Sequence, residues 1–171
     1  MNKARRENLI LSLYLQTRGF AFVLFEGWEM PIDWAVQDVR GLDKNAQCLK
    51  RIRALLDLHN PRVMVLQETS EDGTRRAMRI RNLNRNVAYL AEARGIAVRT
   101  YARSGIRQSF TERYGATSKR MIADTIANEL PDLALYLPPA RKPWMSEHTR
   151  MGIFEAAALA WMYFQETEGG S

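Results

Sequence analysis

The chain has a single cysteine, Cys48, among 171 residues. A lone thiol excludes an intramolecular disulfide and fits a reducing compartment, so a cytoplasmic protein is expected. Nor is there an apolar run near the roughly 20 residues that a membrane-spanning helix requires. The basic start, MNKARREN, leads into an apolar stretch with no small-residue cleavage site, which reads as a strand rather than a signal peptide. The chain holds no internal repeat and no low-complexity segment. One domain over residues 1–171 is therefore expected, with 1–8 and 166–171 as flexible ends. Acid is the scarcer charge: 19 Asp and Glu against 25 Lys and Arg give a formal net charge of +6. That balance admits nucleic acid or another polyanion as a partner.

What is present is organised around Leu9 to Gly27, LILSLYLQTRGFAFVLFEG. Two apolar runs of strand length, Leu9–Leu15 and Phe20–Phe25, flank the polar break Gln16-Thr17-Arg18-Gly19. Leu, Phe, Val and Tyr suit a pleated surface buried on both sides, and Gly19 allows a tight reversal, so a β-hairpin is predicted. Ile32–Val39 supplies a third strand and completes an antiparallel meander. Asp43 to His59 then has helical spacing, with Asp43 as N-cap and Asn60-Pro61 as stop. Arg62–Gln67 is a short continuous apolar run, as in a parallel strand covered on both faces. After a polar loop at residues 69–74, Arg75 to Arg94 reads as a helix closed by Gly95. Ile96–Tyr101 is a fifth strand, Ser104–Phe110 a short helix, and Thr117 to Leu130 a clear helix capped by Thr117 or Ser118. Residues 131–145 are proline-rich and read as an extended strap. Ser146 to Gln165 is predicted as a long last helix with Ser146 as its cap and a small-residue run, Ala156-Ala157-Ala158, for close packing on a sheet.

Positive charge is clustered. Five arginines (Arg75, Arg76, Arg79, Arg81 and Arg85) fall within eleven residues without an acid, and Lys119-Arg120 and Arg141-Lys142 form two further groups. For any single arginine a solvated helix face is the simpler role. Five together repel one another unless a partner neutralises them, so the segment is expected to bind phosphate.

The order β-β-β-α-β-α-β-α-α is that of a mixed α/β sheet of the ribonuclease H-like kind. Short motifs narrow it. Leu13–Phe22 (LYLQTRGFAF) resembles the first hairpin of RuvC-type Holliday junction resolvases, Pro61–Glu68 (PRVMVLQE) their fourth strand, and Phe154–Trp161 (FEAAALAW) their Ala-rich last helix. The resemblance covers nearly the whole chain. It implies a five-stranded mixed sheet, with β1–β3 antiparallel and β4 and β5 parallel to β1. It also implies phosphodiester hydrolysis with two Mg²⁺ or Mn²⁺ ions, DNA (branched included) or RNA as partner, and a homodimer.

The residues at the family's positions depart from its pattern. Tyr14 stands where the resemblance asks for an aspartate on the first strand, and a phenol with a reference pKa near 10 is a poor Mg²⁺ ligand. Gln67 stands where a glutamate ends the fourth strand. His148 and Glu155 are expected on one face of the last helix, with Glu155 where an aspartate is usual. Glu68 could reach the site, and with Glu155 hold a metal, if the strand end slipped by one residue; otherwise alternation sends it to the other face. Three functions follow: a nucleic-acid-binding protein that has lost or nearly lost nuclease activity, an active metal-dependent nuclease using Glu68, Glu155 and His148, or a structural subunit with protein partners. The first is the expectation, because the set is short of acids.

Overall fold

The structure, a computed structural model, describes residues 8–69 and 73–168. Residues 1–7 of the expected flexible start and 169–171 of the expected flexible end therefore lie outside the described residues, as does part of the loop at 69–74. Five strands, β1 (Ile10–Gln16), β2 (Gly19–Phe25), β3 (Pro31–Asp38), β4 (Val63–Gln67) and β5 (Ala97–Tyr101), form one sheet in the order β3-β2-β1-β4-β5. β1 pairs antiparallel with β2, and β2 with β3; β4 runs parallel to β1 and β5 parallel to β4. This is the predicted mixed sheet.

Alternation along the inner strands builds two cores. Leu11 and Leu13 of β1, Phe20, Phe22 and Leu24 of β2, and Met64 and Leu66 of β4 face one side. There they meet Cys48, Ile52 and Leu56 of α1 (Lys44–His59) and Leu83, Val87 and Ala91 of α2 (Arg75–Glu92). Cys48 is thus a small, fully buried core residue. Ile10, Ala21, Val23, Phe25, Val63 and Val65 face the other side. That face is covered by α3 (Arg103–Tyr114), α4 (Lys119–Glu129), the single turn α5 (Pro131–Ala134) and α6 (Met151–Glu168). Removing so much apolar surface from water on both faces is the main term holding the layers together.

Local signals behave as their chemistry requires. The hairpin closes through Thr17 and Arg18, with Gln16 opposite Gly19. Gly19 has φ 143°, and a Cβ there would lie 1.9 Å from the Gln37 carbonyl oxygen, so only glycine fits. Asn60 ends α1 in the left-handed region at φ 45°, and Ser118 caps α4 by accepting from the Met121 N–H at 3.2 Å. Asp43 precedes α1 but caps no N–H; its carboxylate accepts from Gln47 Nε2 at 2.8 Å instead.

Four expectations need correcting. The strap begins with a helical turn, α5, because Pro131 suits the first turn of a helix as well as it ends the previous one. The last helix starts at Met151, not at Ser146, and runs on to Glu168, so the expected tail from residue 166 is helical at its start. Residues 146–148 are irregular and a turn at 149–150 leads into the helix, with Met151 N–H donating to the His148 carbonyl and Gly152 N–H to that of Thr149. His148 consequently lies before α6 and shares no helix face with Glu155.

Candidate functional site at the ends of β1 and β4

Strand register brings two of the expected residues together. Ile10, Leu11 and Ser12 of β1 lie beside Val63, Met64 and Val65 of β4. The same offset, continued, sets Tyr14 level with Gln67. Both have the parity of the face that α6 covers, and Tyr14 packs against that core. Glu68 has the opposite parity. The β4–β5 ladder runs without a bulge through Gln67 and Tyr101, and the Glu68 N–H donates to the Tyr101 carbonyl at 2.9 Å. The one-residue slip that would have turned Glu68 into the site does not occur. The exposed Glu68 side chain lines a cleft of about 510 Å³ between the strand ends and α2, with Tyr14, Gln67, Thr74, Asn84 and Arg103.

α6 places Glu155 beside this cleft, in a separate small cavity that it lines with Arg103, Arg107 and Lys119, Arg103 being common to both. Two contacts seat the helix: the buried Ser12 hydroxyl donates to the Ala156 carbonyl at 2.6 Å, and Gly152 lets the first turn approach β1 and β2 closely. Glu155 is therefore well buried, 16% exposed, and it already has a counter-ion. Lys119 Nζ, at the start of α4, lies 3.3 Å from Glu155 Oε1 and 2.8 Å from Glu147 Oε2, and 5.9 Å from the centre of the Tyr14 ring. Burial pushes the Glu155 carboxyl above the usual carboxylate range despite the pull of Lys119 and Arg103. Burial works against the Lys119 charge as well, but Glu155, Tyr14 and Glu147 outweigh it and hold the ammonium above its ordinary value. The two shifts run the same way because Lys119 serves two carboxylates, whereas the more deeply buried Glu155 shares one ammonium. Burial, then the Glu155 charge, raises the Tyr14 phenol, which stays neutral.

The donor set does not fit a pair of divalent ions. Hard cations of this kind need several anionic oxygens. The site offers one carboxylate in register, a neutral phenol and a neutral amide, and no cluster of three or more His, Cys, Asp or Glu able to hold a metal occurs among the described residues. His148 is exposed and its Nδ1 accepts from the Arg150 N–H at 3.1 Å. The active-site set Glu68, Glu155 and His148 is thus dispersed onto three separate positions.

The basic clusters also divide. Arg79 donates to Asn45 Oδ1 at 3.0 Å and to the Thr17 carbonyl at 3.1 Å, tying α2 to α1 and to the hairpin turn. Lys119 is bound to its two carboxylates, Arg120 to Asp124 and the Pro138 carbonyl, and Arg141 to the Met145 carbonyl. All four therefore have partners within the chain itself. Arg75 and Arg85 are exposed, Arg81 is half-buried, and the Arg76 side chain lies outside the described residues. Lys142 is exposed and sits over the Trp144 ring at 5.4 Å. Sequence reasoning missed Arg103, Glu147, Ser12 and Gly152. Arg103 alone carried a signal, as the first residue of a helix that starts just past a parallel strand, where ligand clefts of such sheets open.

A meander continued by two parallel strands, with a helix laid across β1, β2 and β4, defines the ribonuclease H-like class of α/β folds. Within that class the chain has the fold of the RuvC-type resolvases. It superposes on Thermus thermophilus RuvC in complex with Holliday junction substrate with a TM-score of 0.67 at 15% identity, over 94% of this chain and 96% of that one. A second Thermus thermophilus RuvC structure gives 0.63 at 14% identity, over the same shares. The yeast mitochondrial Holliday junction resolvase Ydc2 gives 0.62 at 13% identity, over 96% of this chain and 81% of that one. No family model matches the chain, and no curated protein matches its sequence. Among the described residues no helix is long and apolar enough to cross a membrane.

Proposed function

We propose that this chain is a RuvC-like nucleic-acid-binding protein whose carboxylate site has lost, or nearly lost, metal-dependent nuclease chemistry. The observation that carries the reading is the Lys119–Glu155 contact of 3.3 Å: the one acid in register is already neutralised by the protein itself. Hydrolysis by two ions needs acidic ligands to hold them and to lower the pKa of a bound water, and Tyr14 and Gln67 supply neither charge. Nucleic acid as the ligand rests on the net charge of +6 and on the exposed Arg75, Arg85 and Arg103 near the open cleft. Branched DNA is the first substrate to offer, since the Thermus thermophilus protein of the same fold is a complex with a Holliday junction.

The test measures binding and cleavage of junction, duplex and single-stranded DNA and RNA, in Mg²⁺, in Mn²⁺ and in chelator. Tight, salt-dependent binding without cuts is the expected result. Cuts that need metal and vanish in Glu155→Ala would make the protein an active nuclease and overturn the proposal. Neither binding nor cuts would favour a structural subunit with protein partners.

The surface arginines make a separate prediction. Reversing Arg75 and Arg85 to Glu is expected to weaken binding at least about tenfold and to flatten the dependence of log K on log salt, since each lost phosphate contact removes roughly 0.9 from the slope. Arg79→Ala is expected to leave the slope unchanged and to cost about 1 kcal/mol of stability through its lost hydrogen bonds. A slope moved by Arg79 and not by Arg75 and Arg85 would show the assignment to be inverted.

A further inference from the structure

We propose that the Lys119 ammonium is the resident cation of this site: it takes the position in charge that divalent ions would hold, and its presence keeps the site closed to metal. The proposal rests on reading the cleft as a former nuclease site, and it adds a cause to the missing acids. An ammonium has three N–H donors and no acceptor. Here two directions are taken by carboxylates from different segments, Glu147 at 2.8 Å and Glu155 at 3.3 Å, and a third faces the Tyr14 ring at 5.9 Å. The ring is the informative partner. An aromatic face attracts an ammonium through its quadrupole, while a neutral phenol offers Mg²⁺ almost nothing. Tyr14 on β1 and Lys119 on α4 thus suit one another well, while neither suits a metal.

Burial sharpens the exclusion. The Lys119 side chain is 24% exposed and that of Glu155 16%, so water screens their charges only partly. A divalent ion entering beside Glu155 would meet a fixed positive charge at contact distance. Arg103, whose charge also acts on Glu155 and Tyr14, adds a second. Restoring carboxylates at Tyr14 and Gln67 therefore leaves the site still occupied by a cation, and Lys119 would bind the new acids before a metal did.

The experiment compares Tyr14→Asp/Gln67→Glu with Tyr14→Asp/Gln67→Glu/Lys119→Gln, titrating each with MnCl₂ by calorimetry and checking the fold of each by circular dichroism. The triple variant is expected to bind Mn²⁺ at least about tenfold more tightly than the double variant. Equal binding by the two would show that Lys119 is no barrier and would overturn the proposal. Failure of both folded variants to bind would overturn it equally, because the carboxylate positions would then not form a site. Should either variant fail to fold, Mn²⁺ line broadening of the Tyr14 ring signals in the wild-type protein and in Lys119→Gln decides. Selective broadening at millimolar Mn²⁺ in Lys119→Gln and not in the wild type supports a site closed by Lys119, and the same response in both refutes it. Nucleic-acid binding is scored separately, so a wild-type protein that ignores DNA and RNA would remove the proposed function without touching the metal result.

Discussion

Gly152→Val is expected to lower the melting temperature by about 10 °C and to lift the start of α6 off the sheet. A Cβ at residue 152 would lie 2.9 Å from the Ala21 Cβ and 2.8 Å from Gln16 Oε1. The glutamine can swing aside; Ala21 sits on a strand hydrogen-bonded on both edges and cannot. Overpacking at such a point costs about 3 kcal/mol, which for a chain of this size corresponds to the stated shift. Helix α6 carries Glu155 one turn further on, so the displacement would reach the Lys119 contact too. Gly105→Val is the control. A Cβ at Gly105, inside α3, meets nothing within 4 Å, and replacing a helix-interior glycine there should leave stability unchanged or slightly raised. Thermal unfolding of the two variants checks this directly, and equal melting temperatures would refute the packing account.

Lys119→Met is the second large effect. Removing the ammonium leaves Glu155 buried with no ion-pair partner and Glu147 without its contact. Breaking a fully buried pair costs about 3–5 kcal/mol. The groups here keep some contact with water, and Glu155 can escape by taking up a proton, so a loss of about 2 kcal/mol is expected at neutral pH. The pH dependence follows from sign. Burial already raises the Glu155 carboxyl, and without Lys119 it rises further. A carboxyl whose folded value lies above its unfolded value binds protons more tightly when folded, so stability falls as pH climbs from the ordinary carboxylate range to the raised value. The penalty of Lys119→Met should accordingly be small near pH 4 and grow towards pH 7. Adding Glu155→Gln should recover much of it at neutral pH. A penalty independent of pH, or no recovery, would mean that Lys119 stabilises by packing its stem rather than by charge.

Most of the fold was legible because it rests on local patterns. The alternation in LILSLYL and FAFVLF, the helical spacing from Asp43 to His59, and stops such as Asn60-Pro61 and Gly95 depend on neighbours a few residues away. The same reasoning set the start of α6 too early. Ser146 offers a capping hydroxyl, but a hydroxyl is only permissive, and in this irregular segment Glu147 is held by Lys119 of α4 instead. That misplacement carried His148 with it.

By itself, then, the sequence determined the sheet, its two-sided burial, and the shortage of acid at Tyr14 and Gln67, since each follows from residue type and parity along one strand. Tertiary structure alone decided which charges are spoken for. A lysine beside an arginine reads the same whether it faces phosphate or a carboxylate, and the partner that settles the matter for Lys119 is Glu147, 28 positions away. Charge acts through space over a few ångströms, so the chain order holds no trace of it until α4, the segment before α6, and β1 have been packed around one point.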